Sequence, residues 1–290
     1  MRYLFLLLIF SFPGLGSIEG QNPVYLKRTL PDISDIRTDL TGQGAHYKPV
    51  FGVGDASGTA FKGLERYGFL SVDSGGSSGS VMYNNQEQII FILEGTGTLF
   101  YDKTILPVSK NDFFYIPRGV KYSLSNPRER TLKAIVMGYK IPEGTKINIT
   151  PHVMIANADE VPFQVLASHG PTTLFQLLMG TTESKRDRLA AAWLVNSLFI
   201  MDFATGGTNI PHRHASEEEV YFVLRGTGEM VAGETSDGKE MRFPVREGDA
   251  FFFYPNTLIG FYSGTKEGEE HARILAVRSR VIGSVSSGSK

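Results

Sequence analysis

The chain has 290 residues, of which 41% are hydrophobic and 20% are charged. This length predicts two domains that each bury a core, and the composition is typical of globular proteins. The net charge of −1 and the scattered basic residues argue against nucleic-acid binding, which requires clustered lysine and arginine. The absence of cysteine excludes disulfides, thiolate metal ligands and a cysteine nucleophile.

Residues 1–20 have the pattern of a secretory signal peptide. Arg2 provides a basic start, residues 3–12 form an apolar run, and small residues up to Gly20 offer cleavage positions. The run is shorter than the roughly 20 apolar residues of a membrane helix, so we expect no stable membrane span after cleavage. An uncleaved anchor is the alternative. The pattern therefore predicts a secreted or periplasmic protein.

After Gln21 the sequence has short β-rich runs, separated by Gly, Pro, Asn and Asp. This pattern predicts many short strands that form a sandwich or a barrel. The segment from Ser184 to Trp193 alone has a helical pattern. His169 stands alone in loop-like sequence and is interpreted as a surface or packing histidine.

The sequence contains an internal repeat. Gly95-Thr96-Gly97 follows an apolar run and recurs 131 residues later as Gly226-Thr227-Gly228, again after an apolar run. Further on, Asn111–Pro117 parallels Gly248–Pro255. A repeat of this length predicts two tandem β-domains. The predicted domains cover residues 21–156 and 157–290.

The strongest chemical signal is the pair His212 and His214, which Glu219 follows at the start of an apolar run. Alternate residues of an extended chain point to the same face, so both imidazoles are expected on one side. Two imidazoles and a carboxylate satisfy a first-row divalent ion and leave coordination positions open. These three residues are the predicted metal ligands, and the alternative is a surface turn with a chance His-x-His sequence.

Three consecutive glutamates are candidates for the carboxylate ligand. We choose Glu219 over Glu217 and Glu218 because Glu219 shares one strand face with Tyr221 and keeps a spacing of six residues to Gly226. A slip of one residue in the strand would reverse this choice.

With these residues the chain resembles the cupin superfamily, in its two-domain bicupin form. The first cupin motif is a glycine, a His-x-His pair, a glutamate after three or four residues, and a glycine after six more. The matching residues are Gly206, His212, His214, Glu219 and Gly226. The resemblance covers residues 50–280 and implies an all-β fold of two tandem double-stranded β-helix, or jelly-roll, barrels.

The second cupin motif normally supplies a fourth histidine ligand, and Gly260 occupies that position. His271 and Tyr262 are the candidates for a replacement. If Gly260 points into the barrel, strand alternation turns Leu258 and Tyr262 the same way. Together with Tyr221 they would form a partly apolar pocket. Such a pocket favours a partly hydrophobic or aromatic substrate over a small diacid.

The N-terminal copy departs further from the motifs. Val81, Tyr83 and Gln88 stand where the first motif has its ligands, and Tyr122 stands where the second has its histidine. Because Val81 has no donor atom, we predict a metal-free N-terminal domain with a structural role.

The resemblance does not determine the function, because one fold serves many activities. We predict one divalent transition metal, with iron favoured and Mn, Zn, Ni or Cu as alternatives, and a dioxygenase-type oxidoreductase acting on a small organic substrate. The alternatives are a non-catalytic protein that binds a sugar or other small ligand, and a redox-inert lyase or isomerase. Cupins often pair barrels between chains, so a homodimer is a further expectation.

Overall fold

The structure is a computed structural model that describes residues 24–55, 61–147, 152–265 and 271–281. The predicted signal peptide at residues 1–20 lies outside the described residues. No helix in these described ranges is long and apolar enough to cross a membrane.

The first half of the chain contains strands β1 (Tyr25–Thr29), β2 (Ala45–Gly52), β3 (Leu64–Val72), β4 (Val81–Met82), β5 (Gln86–Glu94), β6 (Thr96–Tyr101), β7 (Thr104–Ser109), β8 (Asp112–Ile116), β9 (Lys121–Ser125) and β10 (Leu132–Lys140). The second half contains β11 (Met154–Asn157), β12 (Thr173–Thr181), β13 (Leu189–Ala192), β14 (Val195–Phe203), β15 (Thr208–His212), β16 (Glu217–Arg225), β17 (Gly228–Glu234), β18 (Glu240–Val245), β19 (Asp249–Phe253), β20 (Ile259–Ser263) and β21 (Arg273–Arg280). Short 3-10 helices lie at Leu30–Asp32, Ala158–Glu160 and Ala167–His169.

The strands form two barrels, each made of one large and one small sheet. The N-terminal barrel combines the sheet β11-β8-β5-β10-β3-β2 with the sheet β4-β9-β6-β7. The C-terminal barrel combines β1-β19-β16-β21-β14-β12-β13 with β15-β20-β17-β18. Each barrel encloses an apolar core with side chains from both of its sheets. The predicted all-β fold of two jelly-roll barrels is confirmed.

A third apolar core lies between the two barrels and explains why the central strands are apolar without interruption. In β5, Ile90 faces the barrel interior while Phe91 faces the other barrel. In β16, Tyr221 faces inward while Phe222 packs in the interface. Both faces of each strand are therefore buried, as in sheets that are covered on two sides. Across the interface, the rings of Phe51 and Phe252 have centroids 5.9 Å apart.

Each barrel receives one strand from the other half of the chain. β1 pairs antiparallel with β19, and β11 pairs antiparallel with β8. The predicted boundary after residue 156 falls within β11, so the sheets cross the division that the sequence predicts. This exchange joins the barrels through backbone hydrogen bonds in addition to the apolar interface.

Two buried glutamates at equivalent positions of the repeat connect the barrels. Glu87 accepts hydrogen bonds from the backbone N–H groups of Trp193 and Leu194, both at 2.7 Å, and Val195 at 3.3 Å. Glu218, 131 residues further on, accepts from the N–H groups of the preceding barrel at residues 62 and 63, both at 3.1 Å. Each carboxylate thus satisfies donors that the interface removes from water.

The helix predicted from Ser184 to Trp193 is wrong. Ser184 to Asp187 forms a turn closed by a hydrogen bond between these two side chains, and β13 then pairs in parallel with β12. Ala191 and Ala192 are buried in the interface core. This burial and the available sheet edge outweigh the helical propensity of a short segment.

We expect that replacing either bridging carboxylate destabilises the protein. In Glu87→Gln and in Glu218→Gln, the amide NH2 would face backbone donors, so each variant should lose about 2 kcal/mol of unfolding free energy. Urea denaturation monitored by circular dichroism measures this loss. Glu129→Gln, which changes an exposed carboxylate, is the control. Equal stability of the three variants would contradict the role of these glutamates.

Candidate functional site

The C-terminal barrel brings His212, His214 and Glu219 together. His212 is the last residue of β15, His214 lies in the following turn, and Glu219 is the third residue of β16. Glu219 is only 2% exposed. Its neighbour Glu218 points to the opposite face of the strand, where it accepts a hydrogen bond from Gly63. Glu219 is therefore the carboxylate that faces the barrel interior.

The donor atoms of these three side chains lie close to one another. Nε2 of His212 is 3.1 Å from Nε2 of His214, which in turn is 3.4 Å from Oε2 of Glu219. Ligand atoms bound at about 2.1 Å to one ion are separated by about 3.0 to 3.4 Å. Both measured distances fall in the range expected for ligands of a shared ion.

A hydrogen bond holds the imidazole of His212 in the tautomer that binds metals. Nδ1 of His212 lies 2.8 Å from the carbonyl oxygen of Ile210, which can only accept, so this nitrogen carries the proton. Nδ1 of His214 lies 3.3 Å from a carboxylate oxygen of Glu217. His212 therefore keeps a lone pair on Nε2, whereas Nη1 of Arg278 lies 3.4 Å from Nδ1 and 3.2 Å from Nε2 of His214.

Burial changes the pKa values of all three side chains. Burial lowers the pKa of His212, and burial together with the charge of Arg278 lowers the pKa of His214 to about 3. Both rings are therefore neutral at physiological pH. Burial raises the pKa of Glu219 to about 8 against the opposing charge of Arg278. Oε2 of Glu219 is buried and has no hydrogen-bond partner.

Arg278 places a positive charge among these donors. It stands opposite Glu219 in the pairing of β16 with β21, and its Nη1 lies 3.2 Å from Nε2 of His214. Within the part of the chain that the structure describes, no three histidine, cysteine or carboxylate side chains form a complete metal-binding group. His212, His214 and Glu219 are the residue types that a first-row divalent ion takes, and an ion bound to all three would displace Arg278 from Nε2 of His214.

A cavity of about 40 Å³ lies beside the three residues. Its apolar lining comprises Leu166, Phe175, Leu177 and Phe199, and its polar lining comprises His169, Arg186, Ser197, His212, His214, Glu219, Tyr221 and Arg278. Tyr221 accordingly lies where the sequence places it, and its hydroxyl accepts a hydrogen bond from Asn209 at 3.1 Å. The cavity is small, partly apolar and cationic at two positions.

Four of the polar lining residues are not predicted from the sequence, namely His169, Arg186, Ser197 and Arg278. His169, interpreted as an isolated histidine, has its ring centroid 5.0 Å from that of His212, and its Nδ1 donates to Asn209 at 2.6 Å. Arg186 donates to Ser197 at 3.1 Å across the cavity. Arg278 comes from the last strand. Each lies far along the chain from the His-x-His motif, so no local pattern indicates its position.

The prediction that Leu258, Gly260 and Tyr262 line the pocket is wrong. The core of the C-terminal barrel instead contains Ile259 and Phe261 of β20. Strand alternation then turns the three predicted residues away from the interior. A Cβ at Gly260 would lie 2.8 Å from the side chain of a proline on the adjacent strand β15. The apolar wall of the cavity comes from β12 and β14 and not from β20.

Neither candidate for a fourth ligand reaches the site. The hydroxyl of Tyr262 donates to Glu240 at 3.1 Å, and the guanidinium of Arg242 lies 3.9 Å from its ring centroid. His271 is exposed before β21 begins. Two histidines and one carboxylate thus remain the donor set at the predicted position.

The equivalent position of the N-terminal barrel holds a different arrangement. Tyr83 donates to Asp39 at 2.7 Å, and Arg66 lies 4.7 Å from the ring centroid of Tyr83 and 3.0 Å from Asp39. Gln88 donates to the side chain of Gln86 at 2.8 Å. Here a buried guanidinium and its carboxylate partner occupy the layer that holds the histidines in the other barrel.

Comparison with known sequences establishes the family. The cupin domain family matches residues 68–138 and 199–278, more than half of the chain and once in each barrel. The chain therefore belongs to the cupin family, as a two-domain cupin. It is 33% identical over 153 residues to germin-like protein subfamily 2 member 1 of Arabidopsis thaliana, covering 51% of this chain and 67% of that protein. It is 34% identical over 90 residues to member 4, covering 31% and 40%.

Solved structures share the bicupin fold at low sequence identity. A putative glyoxylate-induced protein from Pseudomonas aeruginosa superposes with a TM-score of 0.70 and 14% identity, covering 92% of this chain and 93% of that one. A variant of Bacillus subtilis oxalate decarboxylase superposes with a TM-score of 0.64 and 11% identity, covering 90% and 78%. These similarities support the arrangement of two barrels.

Metal affinity is expected to rise with pH because Glu219 must lose its proton to bind a cation. Below pH 8 the affinity for Mn²⁺ should increase roughly tenfold per pH unit and then level off, since one proton is released. Calorimetric titration with MnCl₂ at several pH values from 6.5 to 8.5 tests this. Glu219→Gln lacks the titrating ligand and should bind Mn²⁺ at least about tenfold more weakly at every pH. An unchanged affinity of the wild type over this range would contradict the assignment.

Proposed function

We propose that the chain is a metal-dependent cupin enzyme, an oxidoreductase of the dioxygenase type that acts on a small organic molecule in the C-terminal barrel. The observation that carries the proposal is the convergence of donor atoms from His212, His214 and Glu219. Both imidazoles are neutral, and the hydrogen bond from Nδ1 of His212 to the carbonyl oxygen of Ile210 orients that ring for a cation.

One divalent transition metal would be held by these three side chains. We favour iron because two histidines and one carboxylate are the ligands of non-haem Fe(II) oxygenases, with manganese, zinc, nickel and copper as alternatives. When bound, such an ion supplies a redox-active Lewis acid with open coordination positions. Glu219 holds a proton in the metal-free protein and releases it to the solvent when a cation binds.

The cavity and the depression outside it together support a small substrate that carries a carboxylate. Arg186 and Arg278 line both spaces. Their Nε atoms lie 3.4 Å from Asp187 and Glu217 respectively, and their remaining N–H groups favour an anion. The outer depression has a volume of about 700 Å³ and offers a route of entry. Phe175 and Phe199 leave room for only a small apolar portion of the substrate. We therefore infer a small organic acid as the substrate class, in place of the partly hydrophobic or aromatic substrate expected from the sequence.

A non-catalytic ligand-binding protein is the second candidate. The observation that favours it is the guanidinium of Arg278, which already places a cation 3.2 Å from Nε2 of His214. In such a protein the arginines would bind the anion without turnover. Metal content separates the candidates, because this arrangement requires no ion.

We also propose that the protein is exported, on the basis of the sequence pattern at residues 1–20. Secretion or periplasmic localisation is tested by fractionation of cells that express the full chain. A homodimer is tested by light scattering, and the net charge of −1 supports a small molecule over nucleic acid as the partner.

Loss of one ligand is expected to remove the metal and the activity together. Purified wild-type protein should contain about one transition-metal ion per chain, whereas His212→Ala and Glu219→Gln should each contain less than about a tenth of that amount. Elemental analysis and substrate-dependent oxygen uptake measure the two effects. His271→Ala changes an exposed histidine and should match the wild type. Full metal content in both ligand variants would refute the site.

Arg186 is expected to bind the carboxylate of the substrate. Arg186→Gln should raise KM for an acid substrate about tenfold or more while metal content stays unchanged, because a charge-assisted hydrogen bond is lost. Arg188→Gln is the matched control, since Arg188 pairs with Glu160 and does not line the cavity. Equal KM values for the two variants would contradict this role.

A further inference from the structure

A second cavity, of about 290 Å³, lies between the two barrels. Both halves of the chain line it. Its apolar residues are Leu30, Phe69, Phe91, Leu93, Phe222 and Leu224, and its charged residues are Glu94, Lys110, Lys133, Arg225, Glu247 and Arg273. It contains none of the three candidate metal ligands, so we consider it separately as the interbarrel cleft.

The floor of the interbarrel cleft is the open end of the apolar core between the barrels. Phe91 and Phe222 occupy equivalent positions of the repeat and are buried, whereas Leu93 and Leu224, two residues further along each strand, are only partly buried. The cleft thus presents apolar side chains from both barrels to a space that a ligand can enter. Burial of these side chains by an apolar ligand would be favourable.

Two neighbouring guanidiniums lie on the rim of the interbarrel cleft. Arg225 and Arg273 share one carboxylate, Asp202, at 3.2 and 4.0 Å. The Nε atoms of both arginines are buried without a hydrogen-bond partner. Burial and the charge of Arg225 lower the pKa of Arg273 against the opposing charges of Asp202 and Asp159. The two guanidiniums therefore keep N–H groups without a partner, and an anion would satisfy such donors.

The other charged residues of the rim carry both signs. Lys133 pairs with Glu94 at 2.7 Å. Lys110 has no ion-pair partner within the described residues and is exposed at the edge of the cleft, and Glu247 is the remaining carboxylate. The lining has four cationic side chains and two carboxylates, and Asp202 and Asp159 add two carboxylates beside the arginines. Apolar surface beside the unpaired N–H groups of the two arginines complements an amphipathic anion.

We propose that the interbarrel cleft binds a medium-chain aliphatic carboxylate, with its chain against the apolar floor and its carboxylate beside Arg225 and Arg273. A volume of 290 Å³ holds about ten non-hydrogen atoms at roughly 30 Å³ each, the size of octanoate. A longer chain would extend into solvent, and acetate would leave the floor uncovered. The site is independent of the proposed metal centre.

Calorimetric titration of the full chain with octanoate, octanol and acetate tests the proposal. Octanoate should bind at least about tenfold more tightly than octanol, which lacks the charge, and more tightly than acetate, which lacks the chain. Equal affinities for octanoate and octanol, or no binding of octanoate, would overturn it. Binding should persist in His212→Ala, so failure of the metal site and failure of this site are distinguishable.

Two variants test whether the ligand binds in the cleft. Arg225→Gln should weaken octanoate binding about tenfold, and Leu224→Trp should abolish it by filling the cavity. Arg242→Gln, which changes an arginine outside the cleft, is the control and should bind as the wild type. Circular dichroism verifies that each variant is folded. Unchanged affinity in both cleft variants would place the ligand elsewhere and refute the proposal.

Discussion

The structure depends on the burial of both faces of β16. Strand alternation sends Glu218 to the interface between the barrels and Glu219 to the interior of one barrel, so adjacent carboxylates have unlike surroundings. Glu218 accepts hydrogen bonds from backbone donors of the other barrel. Glu219 has a buried oxygen with no hydrogen-bond partner beside His214. A shift of the strand by one residue would exchange these surroundings and remove both the interbarrel bonds and the candidate metal site.

The N-terminal barrel shows that the two faces can change independently. Its strand β5 keeps a buried glutamate, Glu87, on the interface face, where it accepts three backbone hydrogen bonds. On the interior face Gln88 replaces the carboxylate, and Arg66 provides a cation within the side-chain layer. The interface is therefore conserved between the two copies while the interior differs. The C-terminal barrel contains the candidate site, and both barrels contribute to the interface that supports it.

The sequence predicts the parts of this arrangement that local spacing determines. The repeat and the strand periodicity predict the two barrels. The alternation of side chains along β16 predicts that Glu219, and not Glu218, faces the barrel interior. The prediction that Leu258, Gly260 and Tyr262 line the pocket is wrong because it assumed which face of β20 is buried. The apolar residues Ile259 and Phe261 determine the orientation of that strand. The sequence also does not predict that Arg186, Arg278 and His169 line the cavity, because these residues reach it from distant segments. Only the folded sheets bring them to the site.

The central claim is that the C-terminal barrel holds one metal ion on His212, His214 and Glu219. Anomalous diffraction from crystals of the protein, recorded at the absorption edge of the metal found by elemental analysis, tests it most directly. We predict one strong peak within about 2.3 Å of both Nε2 atoms and the Glu219 carboxylate. A peak in the N-terminal barrel beside Gln88, or a C-terminal site where Arg278 alone contacts the histidines, would contradict the account.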